Sequence, residues 1–391
     1  MQKLNIGLFG FGVVGEGIYR ILEAKPQLNA QIKKIVIKDI DKPRNAPSEL
    51  FSTDANDILN DDEINVVELI SDADAAYQIV TTALKKGKQV VSANKKMISI
   101  HHQELIDLQK ANDVAFLYEA SVCGSVPIIR NLEEYFDNDL LHYVSGIVNG
   151  TTNFILTKMG NEGESYQDAL KVAQESGFAE ADPTADVEGF DATYKLTIII
   201  LHAFGVKIEA DDVIRKGITS IKTNDFKFAK EKGYTIKLIA KAKVDEETGE
   251  LTSTVLPTFV QLGQTIALVN NEYNGVLIGS SLSDEQFLYG KGAGRFPTAS
   301  AVLSDISALQ YDYKYSNKKS SGSTLINNQS GILKVYLGYE GDVKNVEDYF
   351  ETIEERYQSG TYNYIIGAIK IDRLKDNALI NHPQLSLIAF D

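Results

Sequence analysis

Cysteine occurs once in the 391 residues, as Cys123. One thiol excludes an intrachain disulfide framework and any thiolate-rich zinc or iron–sulfur centre, and it suits a reducing, cytoplasmic setting. Basic charge is also short: 39 lysines and arginines face 54 aspartates and glutamates, for a net charge of −15. Nucleic acid and anionic membrane surfaces both require a basic patch, so neither is expected as a partner. Long apolar runs are missing as well. The strongest, from Leu196 to Leu201, is broken by His202, well short of the ~20 residues that span a bilayer. The opening MQKLNIGLFGFGVVG has no basic lead-in and no small-residue cleavage site, and reads as a strand rather than a signal peptide. The histidines show no metal-ligand spacing, and no G-x-x-x-x-G-K-[ST] phosphate loop occurs.

What is present is ordinary globular composition, 43% hydrophobic and 24% charged, on a chain too long for one compact core. The first stretch alternates short apolar runs (5–9, 35–37, 66–70, 89–92, 114–118) with helical patterns (15–24, 75–86, 103–112). Strands joined by helices of this length imply right-handed crossovers and a parallel sheet covered on both faces. The expected fold class is therefore α/β, a Rossmann-like doubly wound parallel sheet. From residue 145 the pattern changes to helices at 152–159, 166–176 and 190–204 with strands at 237–244 and 254–260, as in an α+β substrate or dimerisation domain. A helix at 298–309 follows a glycine-rich turn, and a polar linker covers 316–323. The tail reads as a strand (332–337), a helix (346–357) and two strands (362–371, 386–389), a small C-terminal α+β domain. The expected domains are 1–130 with 295–315, then 131–294, then 325–391.

Gly10-Phe11-Gly12-Val13-Val14-Gly15 fits the dinucleotide fingerprint in its proper setting, after an apolar strand and at the head of a helix. Gly10 permits the tight turn, Gly12 admits a pyrophosphate to the backbone, and Gly15 lets helix and strand pack closely. The second strand leads to Asp39, placed to accept from a free 2′-hydroxyl and favour NAD. Lys42 and Arg44, just beyond, suit a 2′-phosphate and favour NADP, so the two signals conflict. Lys95, in Ser92-Ala93-Asn94-Lys95-Lys96, lies past the carboxyl end of a strand, where open α/β sheets bind ligands; a pair of lysines is also common as plain surface charge.

The most informative stretch runs from Gly177 through Glu180 and Asp186 to Lys195. Asp191 and Lys195 are four residues apart and share one helix face. The helix continues Leu196-Thr197-Ile198-Ile199-Ile200-Leu201, apolar nearly all round and so buried. A carboxylate and an ammonium at the head of a buried helix are costly unless they serve a cleft, which favours a site over a surface ion pair. Cys123, among Val122, Gly124 and Val126, reads as a small core residue rather than a nucleophile.

These segments together resemble homoserine dehydrogenase over about residues 4–312. The resemblance rests on GFGVVG (10–15), SANKK (92–96), YEASVCGSVPIIR (118–130), GIVNGTTNFIL (146–156), residues 177–195 and GKGAGRFPTASAVLSDI (290–306). It implies NAD- or NADP-dependent interconversion of L-homoserine and L-aspartate 4-semialdehyde, on the route to threonine, methionine and isoleucine. It places the cofactor on Phe11, Val13 and Val14, on Ser71, on Ser92, Ala93 and Lys95, and on Gly294. It assigns Glu180 and Asp191 to the substrate, Lys195 to proton donation and Lys95 to the reacting carbonyl. It further implies a sodium site at Glu119 with carbonyl oxygens of Val122, Gly124 and Val126. Glycines common in the family are replaced here by Ser71-Asp72 and by Cys123-Gly124-Ser125. The tail is short for the ACT domain many relatives carry, which leaves threonine feedback open. With no aspartate-kinase segment before the dehydrogenase part, the resemblance is to the monofunctional form, expected as a homodimer or homotetramer. Two other readings are an acylating semialdehyde dehydrogenase built on Cys123 and a nucleotide-binding sensor. The first lacks a partner histidine, and the second has no need of a proton-transfer pair.

Overall fold

The computed structural model describes residues 3–137, 140–328, 331–341, 346–374 and 377–391. They divide into two compact units, Met1–Asp137 with Lys291–Lys318, and Asn138–Gly290 with Lys319–Asp391.

The first unit is built on six parallel strands, β1 (Leu4–Phe9), β2 (Ala30–Val36), β3 (Phe51–Ser52), β4 (Asn65–Glu68), β5 (Val90–Ser92) and β6 (Phe116–Leu117). They lie in the order β3-β2-β1-β4-β5-β6, so the chain reverses direction across the sheet between β1 and β4. Ile6, Leu8, Val66, Val67, Val90 and Val91 are at most 1% exposed, as expected of strands covered on both faces. Helices α1 (Val13–Ala24), α2 (Asn56–Leu59), α3 (Ala73–Lys85) and α4 (Lys95–Asn112) connect them, and helix Arg295–Leu309 packs on α1. α4 starts well before the expected residue 103; its backbone departs from helical geometry at His101, which splits the pattern. The strand order is that of dinucleotide folds, whose ligands sit outside the carboxyl ends of the strands at the reversal.

The second unit carries α5 (Gly150–Glu162), α6 (Tyr166–Glu175), α7 (Thr184–Val187), α8 (Phe190–Phe204) and α9 (Thr223–Glu231). Its strands are β7 (Leu141–Ile147), β8 (Ile214–Arg215), β9 (Tyr234–Val244), β10 (Glu250–Gln261), β11 (Tyr273–Ser280), β12 (Asp284–Lys291), β13 (Ile326–Asn327), β14 (Ile332–Tyr339), β15 (Thr352–Gln358), β16 (Asn363–Lys370) and β17 (Ser386–Phe390). Nine of them form one path, β12-β11-β7-β9-β10-β17-β14-β16-β15, with β8 and β13 paired to β10. α8 is buried at thirteen of its fifteen positions and is bounded by left-handed glycines, Gly189 and Gly205. A helix hydrophobic all round must be enclosed, and this one is.

The tail departs from expectation in two ways. The helix read at 346–357 is a 3-10 turn, Val346–Tyr349, followed by β15. β15 pairs antiparallel with β16 from Thr352 opposite Ala368 to Gln358 opposite Asn363, and Tyr357 stacks on Tyr364 with centroids 5.1 Å apart. The cross-strand ladder and aromatic pair override the helical spacing of Val346, Tyr349 and Phe350. The order β17-β14-β16-β15, antiparallel throughout, is the strand pattern of a ferredoxin-like βαββαβ unit, and among the described residues between its first two strands lies the 3-10 turn Val346–Tyr349. Nor is 325–391 set apart as a third unit. Thr258 and Phe259 of β10 pair with Ala389 and Phe390 of β17, and one hydrophobic cluster joins Ile214 and Leu256 to Val335, Leu337, Ile365, Ile369 and Leu387.

Leu337 is fully buried in that shared cluster. Leu337→Ala should cost about 2–5 kcal/mol and lower the denaturation midpoint of the whole second unit in one transition. Separate melting of the tail, with the rest unchanged, would contradict a shared core.

Candidate active site

The glycine loop has the geometry its sequence calls for. Gly10 has φ +97°, and a Cβ there would meet the Leu69 carbonyl oxygen at 2.9 Å. A Cβ on Gly15 would meet the Gly10 carbonyl oxygen at 2.7 Å, whereas one on Gly12 would meet nothing within 4 Å. The first and third glycines are thus required by close packing, and the middle one faces open space, the division of labour a pyrophosphate cradle needs. Gly12 caps α1 without any side-chain hydrogen bond, and Val13 is exposed, so the first-turn amides face outward. Gly294, φ +118°, likewise starts its helix without a side-chain cap. Asp39 is exposed beyond β2, and its Oδ1 accepts from the Asp41 amide at 3.0 Å. Arg44 donates to the Lys42 carbonyl at 2.7 Å, and its guanidinium lies over the Phe51 ring at 5.5 Å. Neither geometry decides between the two cofactors.

The ends of β4 and β5 are tied together by a buried carboxylate that the sequence reading passed over. Glu68, fully buried at the end of β4, accepts from the Ile70 amide through Oε1 at 2.5 Å and from the Ser92 hydroxyl through Oε2 at 2.6 Å. Ser92 Oγ accepts from the Asn94 amide at 3.1 Å, Asn94 Nδ2 donates to the Ile70 carbonyl at 2.9 Å, and the Ala93 amide reaches the Glu68 carbonyl at 3.2 Å. Asn94 Oδ1 also accepts from the Met97 amide at 2.9 Å, capping α4, whose first residue is Lys95. The half-buried Lys95 and the exposed Ser71 therefore sit on two turns that share one hydrogen-bonded ring. The glutamate is legible only as one letter in the apolar run VVELI; its partner Ser92 lies in another strand.

The loop expected to hold sodium is occupied by other bonds at its acidic end. Glu119, 3% exposed, accepts from the backbone amides of Ile128 and Ile129 through Oε1 at 2.6 and 2.9 Å and of Arg130 through Oε2 at 2.9 Å. Its own amide donates to Asp305 at 2.9 Å. Burial raises the pKa of both acids, and for Asp305 the neighbouring Glu119 charge adds to it. Val122, Gly124 and Val126 follow on one loop; Gly124 has φ +54°, and a Cβ there would meet the Gly292 carbonyl oxygen at 2.5 Å. Cys123 is fully buried, as a core residue and not an accessible nucleophile, which removes the ground for thioester chemistry.

In the second unit, Asp191 and Lys195 are 5% and 8% exposed, with Lys195 Nζ 2.7 Å from Asp191 Oδ2 and 2.7 Å from the Val148 carbonyl oxygen. Asn149, immediately after that carbonyl, completes the arrangement. Its Nδ2 donates to Asp186 at 2.7 Å and to Asp191 at 2.9 Å, while its Oδ1 accepts from the Thr152 amide at 2.8 Å and caps α5. One amide thus joins the start of α5 to α7 and α8. Asp186 and Asn149 are the two site residues to which the sequence reading gave no role; both lie inside the motifs it singled out, but their pairing depends on a turn between distant segments. Behind the pair, Arg215 donates to the Glu188 carbonyl at 2.6 Å and stacks 3.6 Å over the Phe190 ring, fixing the entry to α8. Glu180 stands apart: it is exposed between α6 and α7, its carbonyl accepts from Gln174 at 3.1 Å, and its carboxylate hydrogen-bonds to none of the cluster.

Burial pushes the Glu68 carboxyl up from 4.5 to about 7, against the two hydrogen bonds that favour its ionised form. The folded state then keeps a proton that the unfolded chain releases near 4.5, so this group's contribution to stability falls as pH rises from 4.5 to about 7. Glu68→Gln should exceed the wild type in denaturant stability above pH 7 by up to about 3 kcal/mol and match it below pH 4.5. A gain confined to acid pH would contradict the assignment.

Family models described as homoserine dehydrogenase, NAD binding domain, and homoserine dehydrogenase match residues 10–119 and 127–307. The homoserine dehydrogenase of Bacillus subtilis (strain 168) is 40% identical over 319 residues, 79% of this chain and 73% of that protein. That of Corynebacterium glutamicum is 37% identical over 338 residues, 83% and 76% of the two chains. Among solved structures, a homoserine dehydrogenase from Thiobacillus denitrificans superposes with a TM-score of 0.87 at 28% identity, covering 99% of this chain and 98% of that one. A hyperthermophilic archaeal homoserine dehydrogenase in complex with NADPH gives 0.68 at 25% identity, over 80% and 99%. With a dinucleotide-type sheet, a buried acid–amine pair and relatives at this identity over more than three quarters of its length, the chain belongs to the homoserine dehydrogenase family, NAD(P)-dependent oxidoreductases of amino-acid biosynthesis.

Proposed function

We propose that the chain interconverts L-homoserine and L-aspartate 4-semialdehyde at the Asp191–Lys195 pair, with the dinucleotide on the glycine loop. The observation that carries this reading is the buried ammonium of Lys195, held 2.7 Å from both a carboxylate and a backbone carbonyl. A lysine so fixed can exchange a proton with a substrate hydroxyl without first being ordered.

In the reductive direction Lys195 gives a proton to the oxygen that becomes the hydroxyl, and Asp191 stabilises and orients the ammonium that gives it. In the oxidative direction the proton returns from the substrate hydroxyl to the same Asp191–Lys195 pair. Lys95, at the first position of α4, is the lysine assigned to the reacting carbonyl. Glu180 and Asp191 are the acids assigned to the substrate, Glu180 to its ammonium; the exposure of Glu180 leaves its carboxylate open to a ligand. The bound nicotinamide supplies the hydride exchange at the carbinol carbon. Gly10 to Gly15, Asp39, Ser71, Ser92, Ala93, Lys95 and Gly294 are its binding positions, and the cofactor is NADP or NAD, Asp39 suiting NAD and Lys42 and Arg44 suiting NADP. A monovalent cation is assigned to the carbonyl oxygens of Val122, Gly124 and Val126. Because the Glu119 carboxylate is engaged by three amides, its role there is to hold the loop. The enzyme is assigned to the cytoplasm as a homodimer or homotetramer.

The test is an absorbance trace at 340 nm with purified protein, homoserine and each oxidised cofactor. Lys195→Ala should lower kcat by about 10²–10⁴-fold, the range for a lost general acid, with dinucleotide affinity kept as a check on folding. Near wild-type turnover in that variant would reject the assignment.

A further inference from the structure

We propose that Glu68 is a positioning residue for the dinucleotide: its carboxylate holds the Ser71 turn and the Ser92–Lys95 turn in the one arrangement that receives the cofactor. The inference deepens the proposed function and rests on its assignment of the cofactor to those turns. Three observations lead to it. Glu68 ends β4 beside β1, at the strand-order reversal where such sheets bind their ligands. It is fully buried, and its two oxygens each take a different turn, Ile70 N–H on one side and Ser92 O–H on the other. The ring then closes without it, through Asn94 to the Ile70 carbonyl, so the carboxylate sets the spacing between two turns already joined at their outer edge. Leu69, between Glu68 and Ile70, also carries the carbonyl oxygen that a Cβ on Gly10 would meet at 2.9 Å. One side chain therefore stands behind the glycine loop, the Ser71 turn and the capped start of α4 together.

Leucine, apolar and one methylene shorter, removes both bonds and leaves the Ile70 amide and the Ser92 hydroxyl unpaired. The two turns then lose their common reference, and the effect falls on the dinucleotide before the amino-acid substrate. Glutamine keeps the length of the side chain: its carbonyl still accepts from the Ile70 amide, while its NH2 group meets Ser92 Oγ as a donor, with that bond reversed.

The experiment compares wild type, Glu68→Gln, Glu68→Leu and Ser92→Ala in the full chain. Dinucleotide Kd is measured by fluorescence titration with reduced cofactor, and homoserine KM at saturating cofactor. Loss of one or two buried hydrogen bonds should raise Kd by about ten-fold or more in Glu68→Leu and by several-fold in Ser92→Ala. Homoserine KM should stay within about two-fold of wild type, and Glu68→Gln should recover Kd to within about three-fold, since its Ile70 bond persists and its amide still reaches Ser92 with the polarity reversed. Should Glu68→Leu fail to fold, Glu68→Met, apolar and close to glutamate in length, is read in its place against the same two outcomes. A folded Glu68→Leu that binds dinucleotide like wild type overturns the proposal, as does an equal loss in Kd and homoserine KM, the mark of a merely structural role. Wild-type protein that binds neither NADH nor NADPH overturns the functional reading beneath it, a result distinct from either.

Discussion

An ammonium and a carboxylate taken out of water together are tolerated only where each finds further partners, and the head of α8 is arranged around that demand. Lys195 has Asp191 and the Val148 carbonyl; Asp191 has Lys195 and Asn149; Asn149 spends its remaining capacity on Asp186 and on the cap of α5. Every element near the pair is therefore fixed in relation to it: the end of β7, the start of α5, the short α7 and the first turn of α8. The apolar body of α8 makes this possible by anchoring the helix, and Gly189 makes it reachable by turning the chain into the helix beside Arg215. Removing one partner of such a pair leaves an uncompensated buried charge, commonly worth about 3–5 kcal/mol, so the site is also a constraint on the fold.

The first unit follows a different logic, in which groups are left unpaired on purpose. α1 and helix Arg295–Leu309 both begin at glycines that offer no side-chain cap. The first-turn amides of α1, and those of Arg295 and Phe296 ahead of Pro297 in the second helix, suit an anion. Behind this surface lies the opposite arrangement, a ring in which Glu68, Ser92, Asn94 and Ile70 satisfy one another completely. Outward donors on an inwardly rigid frame suit a ligand that is bound and released many times.

Much of this was legible in the residues. Strands buried on both faces announce themselves as unbroken apolar runs, which is why β1, β4 and β5 were found, and the glycine motif needed only its strand and helix to be convincing. The Asp191–Lys195 spacing pointed to the site because the helix behind it is too apolar to lie on a surface. The failures share a cause. β15 and the 3-10 turn before it read as one helix because local spacing does not reveal a cross-strand partner such as Tyr364. Asn149 joins the start of α5 to α7 and α8, and Glu68 joins the ends of β4 and β5; an asparagine in NGTTN or a glutamate in VVELI looks ordinary alone. The tail was separable on paper but shares its hydrophobic cluster with Ile214 and Leu256, contacts no local pattern announces.

The central claim is that Asp191 and Lys195 work as one proton-transfer unit. A double-mutant cycle on kcat, with Asp191→Asn, Lys195→Met and the pair together, tests it most directly. If the two act as a unit, the double variant should turn over within about three-fold of the slower single variant, since groups acting together are strongly non-additive. Losses that multiply would show two independent contributions and contradict the account.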